Sequence, residues 1–448
     1  MSDAVHSIKT IIVKKLFGTY DYSLTPKSEA SDTDKLIVLY GDNGSGKTTI
    51  LKGLFHLLAP EDSEGHKSRV AEIPFQRFEI VFATGDRVWA QRSESRLTGS
   101  YKMGLKIARH KEATVEFTAD ENNNVRAKNA KHNSQIKVFL RALRGINVSL
   151  YLLSDDRTVQ LASREKKTPP LQSAEIVEEE IISYRDDPIG MQTRFRRMMD
   201  PEKISQQILN QSLKRAESWI QTQVLRSSSL GESSVNTLYN EILRRLAALP
   251  IGESLEPDVN KRGIEERVKR LEIRSREYSK YGLLPEFNGK AIVTAIARAA
   301  RSHISIIGNV LSPYLESLEK KLEVMEKIHR QIDAFVRVVN SFFMHKTISF
   351  EMHAGFEIRT ENGKFLQPQM LSSGERHLLL LFCNTLVALD RPSIFIIDEP
   401  EISLNIKWQR KLLSSLMECV GDNPIQYILA THSLELLAQH KGNVLKLV

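Results

Sequence analysis

Hydrophobic positions change their period twice along the chain. LIVLY at 36–40 is a continuous, partly β-branched apolar run, the pattern of a strand buried on both faces. After a glycine-rich stretch, Ile50, Leu51, Leu54, Phe55, Leu57 and Leu58 recur at helical spacing. INVSLYLL at 146–153 reads as another strand. From about residue 165, EKKTPPLQSAE has linker composition, and Pro169-Pro170 blocks helix and strand alike. Helical patterns follow. Asp200 is placed as an N-cap and Pro201 as a first helical residue, with Ile204, Ile208, Ala216, Ile220 and Val224 on one face. Further on, Leu311, Leu315, Leu318, Leu322 and Met325, then Ile328, Ile332, Phe335, Val339 and Phe342, alternate steps of four and three with one break. The apolar run 378–389 reads as a buried helix, and strand patterns return after it in SIFII at 393–397 and QYILAT at 426–431. The predicted fold class is α/β. An N-terminal lobe (1–165) and a C-terminal lobe (346–448) of one mixed sheet flanked by helices are split by a helical insertion, a short hairpin or bundle, over 166–345.

Composition narrows the setting. At 448 residues, 41% hydrophobic and 26% charged, the chain has material for about two or three globular domains. Its two cysteines, Cys383 and Cys419, form no zinc or disulfide spacing and suit a reducing cytosol. The N-terminus lacks an apolar secretory core, and the run 378–389 is too short for a membrane span, so a cytoplasmic protein without membrane contact is expected. A net charge of +8 leaves nucleic acid possible as a partner. RFRRMMD at 194–200, the tightest basic cluster of the insertion, reads either as a phosphate-backbone contact or as a solvated helix end.

The octet Gly41-Asp42-Asn43-Gly44-Ser45-Gly46-Lys47-Thr48, with Thr49 after it, matches G-x-x-x-x-G-K-[ST] between a strand and a helix. Its glycines let backbone N–H groups turn toward an anion at a helix N-terminus. Lys47 is then placed to contact β- and γ-phosphates, and the Thr48 hydroxyl to ligate Mg²⁺. Asp398 and Glu399 end the strand at 393–397; they read either as exposed acids or as an Mg²⁺ holder through water (Asp398) and a base for an attacking water (Glu399). LSSGER, with Ser372, Ser373, Gly374 and Glu375, is a small-residue turn opening a helix that can approach phosphate. His432, after the strand at 426–431, is a structural histidine or a γ-phosphate contact.

These pieces, in this order, resemble the ATP-binding-cassette ATPases of the branch containing SMC, RecF and OLD proteins. GDNGSGKTT is similar to Walker A, LSSGER to the signature motif, IFIIDEP to Walker B, EISLN to the D-loop and ATHS to the switch histidine. The resemblance covers the two ends of the chain and says little of its middle. It implies ATP and Mg²⁺ as cofactors and a homodimer or higher homo-oligomer, with ATP on Lys47 and Thr48 of one copy closed over by Ser372, Ser373 and Gly374 of another. Glu399, His432 and Lys47 would be catalytic. Gln160 is the candidate for the Q-loop ligand of the metal, with a plain loop glutamine as the alternative. Asn405 departs from the histidine common after Ser-Leu in related sequences.

The chain ends sixteen residues after His432, so the Toprim nuclease domain of OLD proteins is not expected. Similarity to the stand-alone heads of PARIS, Septu and retron-type systems implies an ATPase that senses infection and controls a separately encoded effector, a nuclease or toxin. A RecF-like DNA repair ATPase and an ATP-clamped scaffold with little turnover are the alternatives.

Overall fold

The protein is described here from a computed structural model, covering residues 7–26, 35–62, 64–107, 110–155, 159–162, 201–231, 240–244, 261–299, 301–437 and 440–447. The proline linker, the basic cluster at 194–200 and the Asp200 cap lie outside the described residues. The chain forms two compact units, one from Met1–Leu209 with Leu371–Val448 and one from Asn210–Met370.

The N-terminal segment of the first unit supplies β1 (Ile8–Leu16), β2 (Tyr20–Leu24), β3 (Leu36–Gly41), α1 (Lys47–Leu58), α2 (His66–Glu72), β4 (Arg77–Phe82), β5 (Arg87–Gln91), β6 (Tyr101–Lys106), β7 (Ala113–Phe117), α3 (Ala130–Leu143), β8 (Ser149–Leu153) and β9 (Val159–Ala162). Strands β2-β1-β4-β5-β6-β7 form an antiparallel sheet in that order. Its strands show the alternation of a sheet with one buried face: in β5, Val88 and Ala90 are buried while Arg87 and Gln91 are exposed. Helix α1 is buried through Ile50, Leu51, Leu54, Phe55, Leu57 and Leu58, in one apolar core with residues of both sheets of this unit.

The end of α1 is closed by an uncommon polar cluster. Lys67 of α2 is buried, and its Nζ donates to the carbonyls of His56 (3.0 Å), Leu57 (3.0 Å) and Ala59 (2.8 Å), satisfying the last turn of α1. Beside it His56 and His66 meet Nδ1 to Nδ1 at 3.0 Å. Burial first, then neighbouring positive charge, pushes His56 down to about 3 and His66 to about 4. Both pKa values lie below the ordinary imidazole value, so the folded state takes up fewer protons. Their contribution to stability is complete above pH ~6.5 and is lost as pH falls toward 4 and then 3. Lys67, pushed by burial to about 7, titrates mainly above this window, and its tail near pH 7 adds a smaller slope of the same sign. The melting midpoint is therefore expected to fall between pH 7 and pH 5, by a stability loss on the order of 2 kcal/mol. The slope should be shallower in His66→Gln, and equal slopes in both proteins would exclude the pair as its origin.

The second unit contains α4 (Pro201–Gly231, continuing from the first), α5 (Lys261–Ser279), α6 (Lys290–Arg298), α7 (Arg301–Asn340) and strands β10 (Lys346–Glu351), β11 (Gly355–Thr360) and β12 (Phe365–Leu366). The sequence periodicity is visible in its packing. Leu315, Leu322, Met325, Ile328, Ile332, Phe335 and Val339 of α7 are buried, and α4 buries Leu209, Leu213, Ala216, Ile220 and Val224. Helix α7 runs on through Pro313, which removes one backbone donor from its ladder. The Arg267 guanidinium of α5 grips Glu319 of α7 at 2.6 Å through both Nε and Nη2, and Tyr281 donates to Asp333 at 2.8 Å. The small sheet β10-β11-β12 belongs to this unit: the rings of Phe335 of α7 and Phe356 meet at a tilt with centroids 5.1 Å apart, and the Asn340 side chain bridges both backbone groups of Ile348. The helical unit thus extends past residue 345, where the sequence reading had ended the insertion, because aromatic residues of β10 and β11 complete the α7 core.

The chain then returns to the first unit with α8 (Ser373–Ala388), β13 (Ser393–Asp398), α9 (Ile406–Val420), β14 (Ile425–Thr431), α10 (Leu434–Leu437) and β15 (Val444–Leu447). Helix α8 is buried almost throughout, as its apolar run requires. The second sheet has the order β15-β3-β14-β13-β8-β9, with every neighbour parallel except the edge strand β9. Every residue of β8, β13 and β14 is buried, which explains their largely apolar runs, and the polar Gln426 inside them is satisfied by both backbone groups of Ile8. Register levels their ends: Thr431 lies opposite Tyr40, Asp398 opposite Ala430, and Ile397 opposite Leu153. The loops that leave β3, β14, β13 and β8 therefore open on one edge, the carboxyl edge where parallel sheets of this kind bind ligands. The α/β fold with helix-flanked sheets expected from the sequence is the fold observed.

Candidate functional site

The glycine loop joins β3 to α1 with Gly44 at φ 85° and Gly46 at φ 89°, both in the left-handed region. Gly46 has a second constraint, since a Cβ there would lie 2.6 Å from Leu16 Cδ2. The helix behind the loop has no side-chain cap and no acid in its first turn, so the early N–H groups of Lys47, Thr48 and Thr49 are directed at whatever anion the loop receives. Lys47 is buried and folds back, its Nζ donating to the carbonyls of Gly41 (2.7 Å) and Asp42 (3.0 Å). Ser45 Oγ is buried without a hydrogen-bond partner among the described residues, while the Ser45 carbonyl is pinned by the Tyr22 hydroxyl at 2.9 Å. An orphaned hydroxyl, a lysine over the loop and an uncapped helix end fit a phosphate group. Asp42, Asn43 and Gly44 lie exposed at the loop tip.

Asp398 ends β13 and is buried. Its carboxyl is pushed up to about 6, chiefly by burial, with Asp155 and Glu399 raising it further; a hydrogen bond from Thr48 and the charge of Lys52 act the other way. Asp398 Oδ1 has no hydrogen-bond partner among the described residues. The Thr48 hydroxyl, an orphaned carboxylate oxygen and a second aspartate acting on it are hard oxygen donors around excess negative charge. This set fits Mg²⁺. Asp155, just beyond β8, was not singled out in the sequence; the SDD that follows the strand-like run was the available signal. Gln160, the expected Q-loop ligand, lies in edge strand β9 opposite Leu152.

Glu399 follows Asp398 with φ 48°, a left-handed conformation that costs a non-glycine residue about 1 kcal/mol or more. Its N–H donates to the Ala430 carbonyl at 2.9 Å. Its Oε2 lies 3.2 Å from His432 Nδ1. Glu401 Oε1 lies 3.5 Å from the same nitrogen. Glu401 is itself buried, and its Oε1 accepts from the Thr431 hydroxyl (2.5 Å), the His432 N–H (3.1 Å) and the Ser433 N–H (3.2 Å). It holds the whole turn after β14, a role the sequence reading did not give it although DEPE carries the extra acid in plain view. Ser433 is tied in turn to Gln409 at 2.8 Å.

The LSSGER turn opens α8. Ser372 is its N-cap in a complete capping box: Glu375 Oε2 accepts from the Ser372 N–H and hydroxyl, both at 2.8 Å, while Ser372 Oγ accepts from the Glu375 N–H at 3.3 Å. Glu375, expected at the nucleotide, is buried in this cap. The exposed positions are Ser372 and Ser373, and the N–H groups of Ser373 and Gly374 are the ones a first helical turn leaves to an outside acceptor. A Cβ on Gly374 would meet the Ser403 carbonyl at 2.6 Å, so only glycine lets the EISLN turn pack against this helix start. Asn405, the departure noted above, caps α9 by accepting from the Trp408 N–H at 3.0 Å.

The carboxyl edge of one sheet thus brings together the glycine loop with Lys47 and Thr48, the acids Asp398 and Glu399, and His432. Fold and site define a P-loop nucleotide-binding domain of the ATPase type. Residues 196–438, more than half of the chain, match the family described as "AAA domain, putative AbiEii toxin, Type IV TA system", and the chain belongs to that family. No curated protein matches it. Solved structures with some likeness include an Smc head domain with an extended coiled coil bound to the C-terminal domain of ScpA, from Pyrococcus furiosus, at 14% identity over 96% of this chain and 91% of that one, TM-score 0.36. Another is the SMC head domain from Thermotoga maritima, at 11% identity over 96% and 91%, TM-score 0.34. Among the described residues no helix is long and apolar enough to cross a membrane.

Proposed function

We propose that this chain hydrolyses ATP between two head-to-head copies of itself, as an ABC-type head, and that the pairing regulates a separately encoded nuclease or toxin in bacterial anti-phage defence. The observation that carries the enzymatic part is the meeting of Lys47, the Thr48–Asp398 pair and the Glu399–His432 pair on one sheet edge. Lys47 exchanges its two loop carbonyls for phosphate oxygens. Thr48 and Asp398 would hold Mg²⁺, which would supply Lewis-acid polarisation of the phosphoryl group. Glu399 takes a proton from the attacking water. His432, held through Nδ1 by two carboxylates, presents its other nitrogen to the terminal phosphate. The exposed Ser373 and the Gly374 N–H supply the partner copy's half of the site.

The regulatory part draws support from the motif resemblance and from the toxin named in the family's description. Phosphate release from Mg–ATP by the purified chain tests the enzymatic part. Steady release that disappears in Lys47→Ala is expected, and equal release from both proteins would contradict it.

A further inference from the structure

Glu399, Glu401 and His432 do more than line the reaction edge. One ligand atom from each lies within 4.8 Å of the others. A zinc ion held by nitrogen and oxygen at about 2.0–2.2 Å in a tetrahedron separates its ligands by about 3.4 Å. His432 Nδ1 stands 3.2 Å from Glu399 Oε2 and 3.5 Å from Glu401 Oε1, which is that spacing. An independent feature points the same way. Glu401 is only 5% exposed, and while its Oε1 collects three donors, its Oε2 is buried without a hydrogen-bond partner among the described residues. The Glu401 carboxylate, whose other oxygen stands 3.5 Å from His432 Nδ1, thus keeps a buried oxygen that no described group satisfies.

We propose that these three residues bind a borderline divalent cation of the zinc class, and that occupancy blocks the active edge by engaging Glu399 and His432 together. Imidazole with two carboxylates suits Zn²⁺ and disfavours Mg²⁺, which keeps an octahedral shell of oxygens and water; Mg²⁺ belongs to the Thr48–Asp398 set instead. The ion sits between His432 Nδ1 and the carboxylates, any proton on that nitrogen passing to solvent, and a water completes four-coordination. With its carboxylate committed to the metal, Glu399 no longer accepts a proton from water. The chain would then be silenced by a metal that its own Mg²⁺ site does not select. This second half rests on the ATPase reading above, whereas the binding half does not.

The test uses the full chain without an affinity tag or nucleotide, titrated with Co²⁺ as a visible substitute for zinc. One equivalent should give the intense bands of a four-coordinate ion, without thiolate bands, and one equivalent of Zn²⁺ should abolish them. His432→Ala, an exposed position, should weaken binding at least about tenfold, as should Glu401→Gln. His66→Ala should leave the bands unchanged, which separates this site from the His56–His66 pair. Absence of stoichiometric cobalt binding, or bands that survive in His432→Ala, would overturn the site. In a second arm, one equivalent of Zn²⁺ in excess Mg–ATP should lower phosphate release at least about tenfold, reversed by a zinc-selective chelator. Unaltered release from zinc-loaded protein would overturn the inhibitory role. A chain that never releases phosphate would sink the ATPase reading alone, since the cobalt measurement stands apart from it.

Discussion

Glu399→Gln is expected to lower ATP turnover by at least about 100-fold, the scale of losing general-base help, while nucleotide stays bound. The substitution keeps the size of the side chain and its reach to His432 Nδ1, 3.2 Å away, and removes only the capacity to accept a proton. Binding should be spared because the proposed phosphate contacts lie elsewhere, on the loop between β3 and α1 and on Lys47, with Thr48 and Asp398 proposed to hold Mg²⁺. The left-handed φ of 48° at this residue is a backbone property that glutamine inherits, so the fold is expected to tolerate the change. Single-turnover phosphate release measured beside nucleotide affinity separates the two effects. Turnover equal to the parent protein would remove Glu399 from the role of base.

The second large effect concerns α8. The resemblance sets Ser372, Ser373 and Gly374 together over the partner's nucleotide, but a change at Ser372 also removes the cap of α8, at a cost of about 1 kcal/mol. Ser373 is exposed and outside the box, so Ser373→Arg tests the surface without loosening the helix. An arginine at that position obstructs whatever docks on the Ser373 and Gly374 N–H groups. ATP hydrolysis is expected to fall by about 100-fold, the scale of losing aligned donors at the transition state, with nucleotide affinity changed by less than about threefold. Circular dichroism and melting identical to the parent would confirm that folding is intact. If Ser373→Arg abolished nucleotide binding instead, α8 would be serving the nucleotide of its own copy and the paired arrangement would fail.

The sequence disclosed most of this site because its chemistry sits at strand ends. Fully buried parallel strands must be apolar along their whole length, so β3, β13 and β14 are conspicuous, and the residues that end them stand out as breaks in an apolar run. Asp398, Glu399 and His432 were legible for that reason. Asp155 follows β8 by the same rule, yet it sits in the polar stretch SDDRT, and only its effect on Asp398 distinguishes it. Glu401 was illegible for a different reason: an acid one turn beyond a strand is normally solvated, and its burial depends on donors from β14 thirty residues away in the chain. Glu375 shows the converse. Its place in a phosphate-approaching motif suggested the nucleotide, whereas local hydrogen bonding to Ser372 claims its carboxylate. Strand patterns at 346–366 look like the resumption of the main sheet, whereas the packing of Phe350 and Phe356 near Phe335 groups them with α7.

The central claim is that ATP joins two copies of the chain through the Lys47 loop of one and the Ser373–Gly374 turn of the other. Sedimentation velocity of Glu399→Gln, with Mg²⁺ and either ATP or ADP, tests it most directly. The account predicts a species of twice the chain's mass with ATP, a single chain with ADP, and no ATP-driven pairing once Ser373→Arg is added. A single-chain boundary at saturating ATP, or a pair that forms equally with ADP, would contradict it.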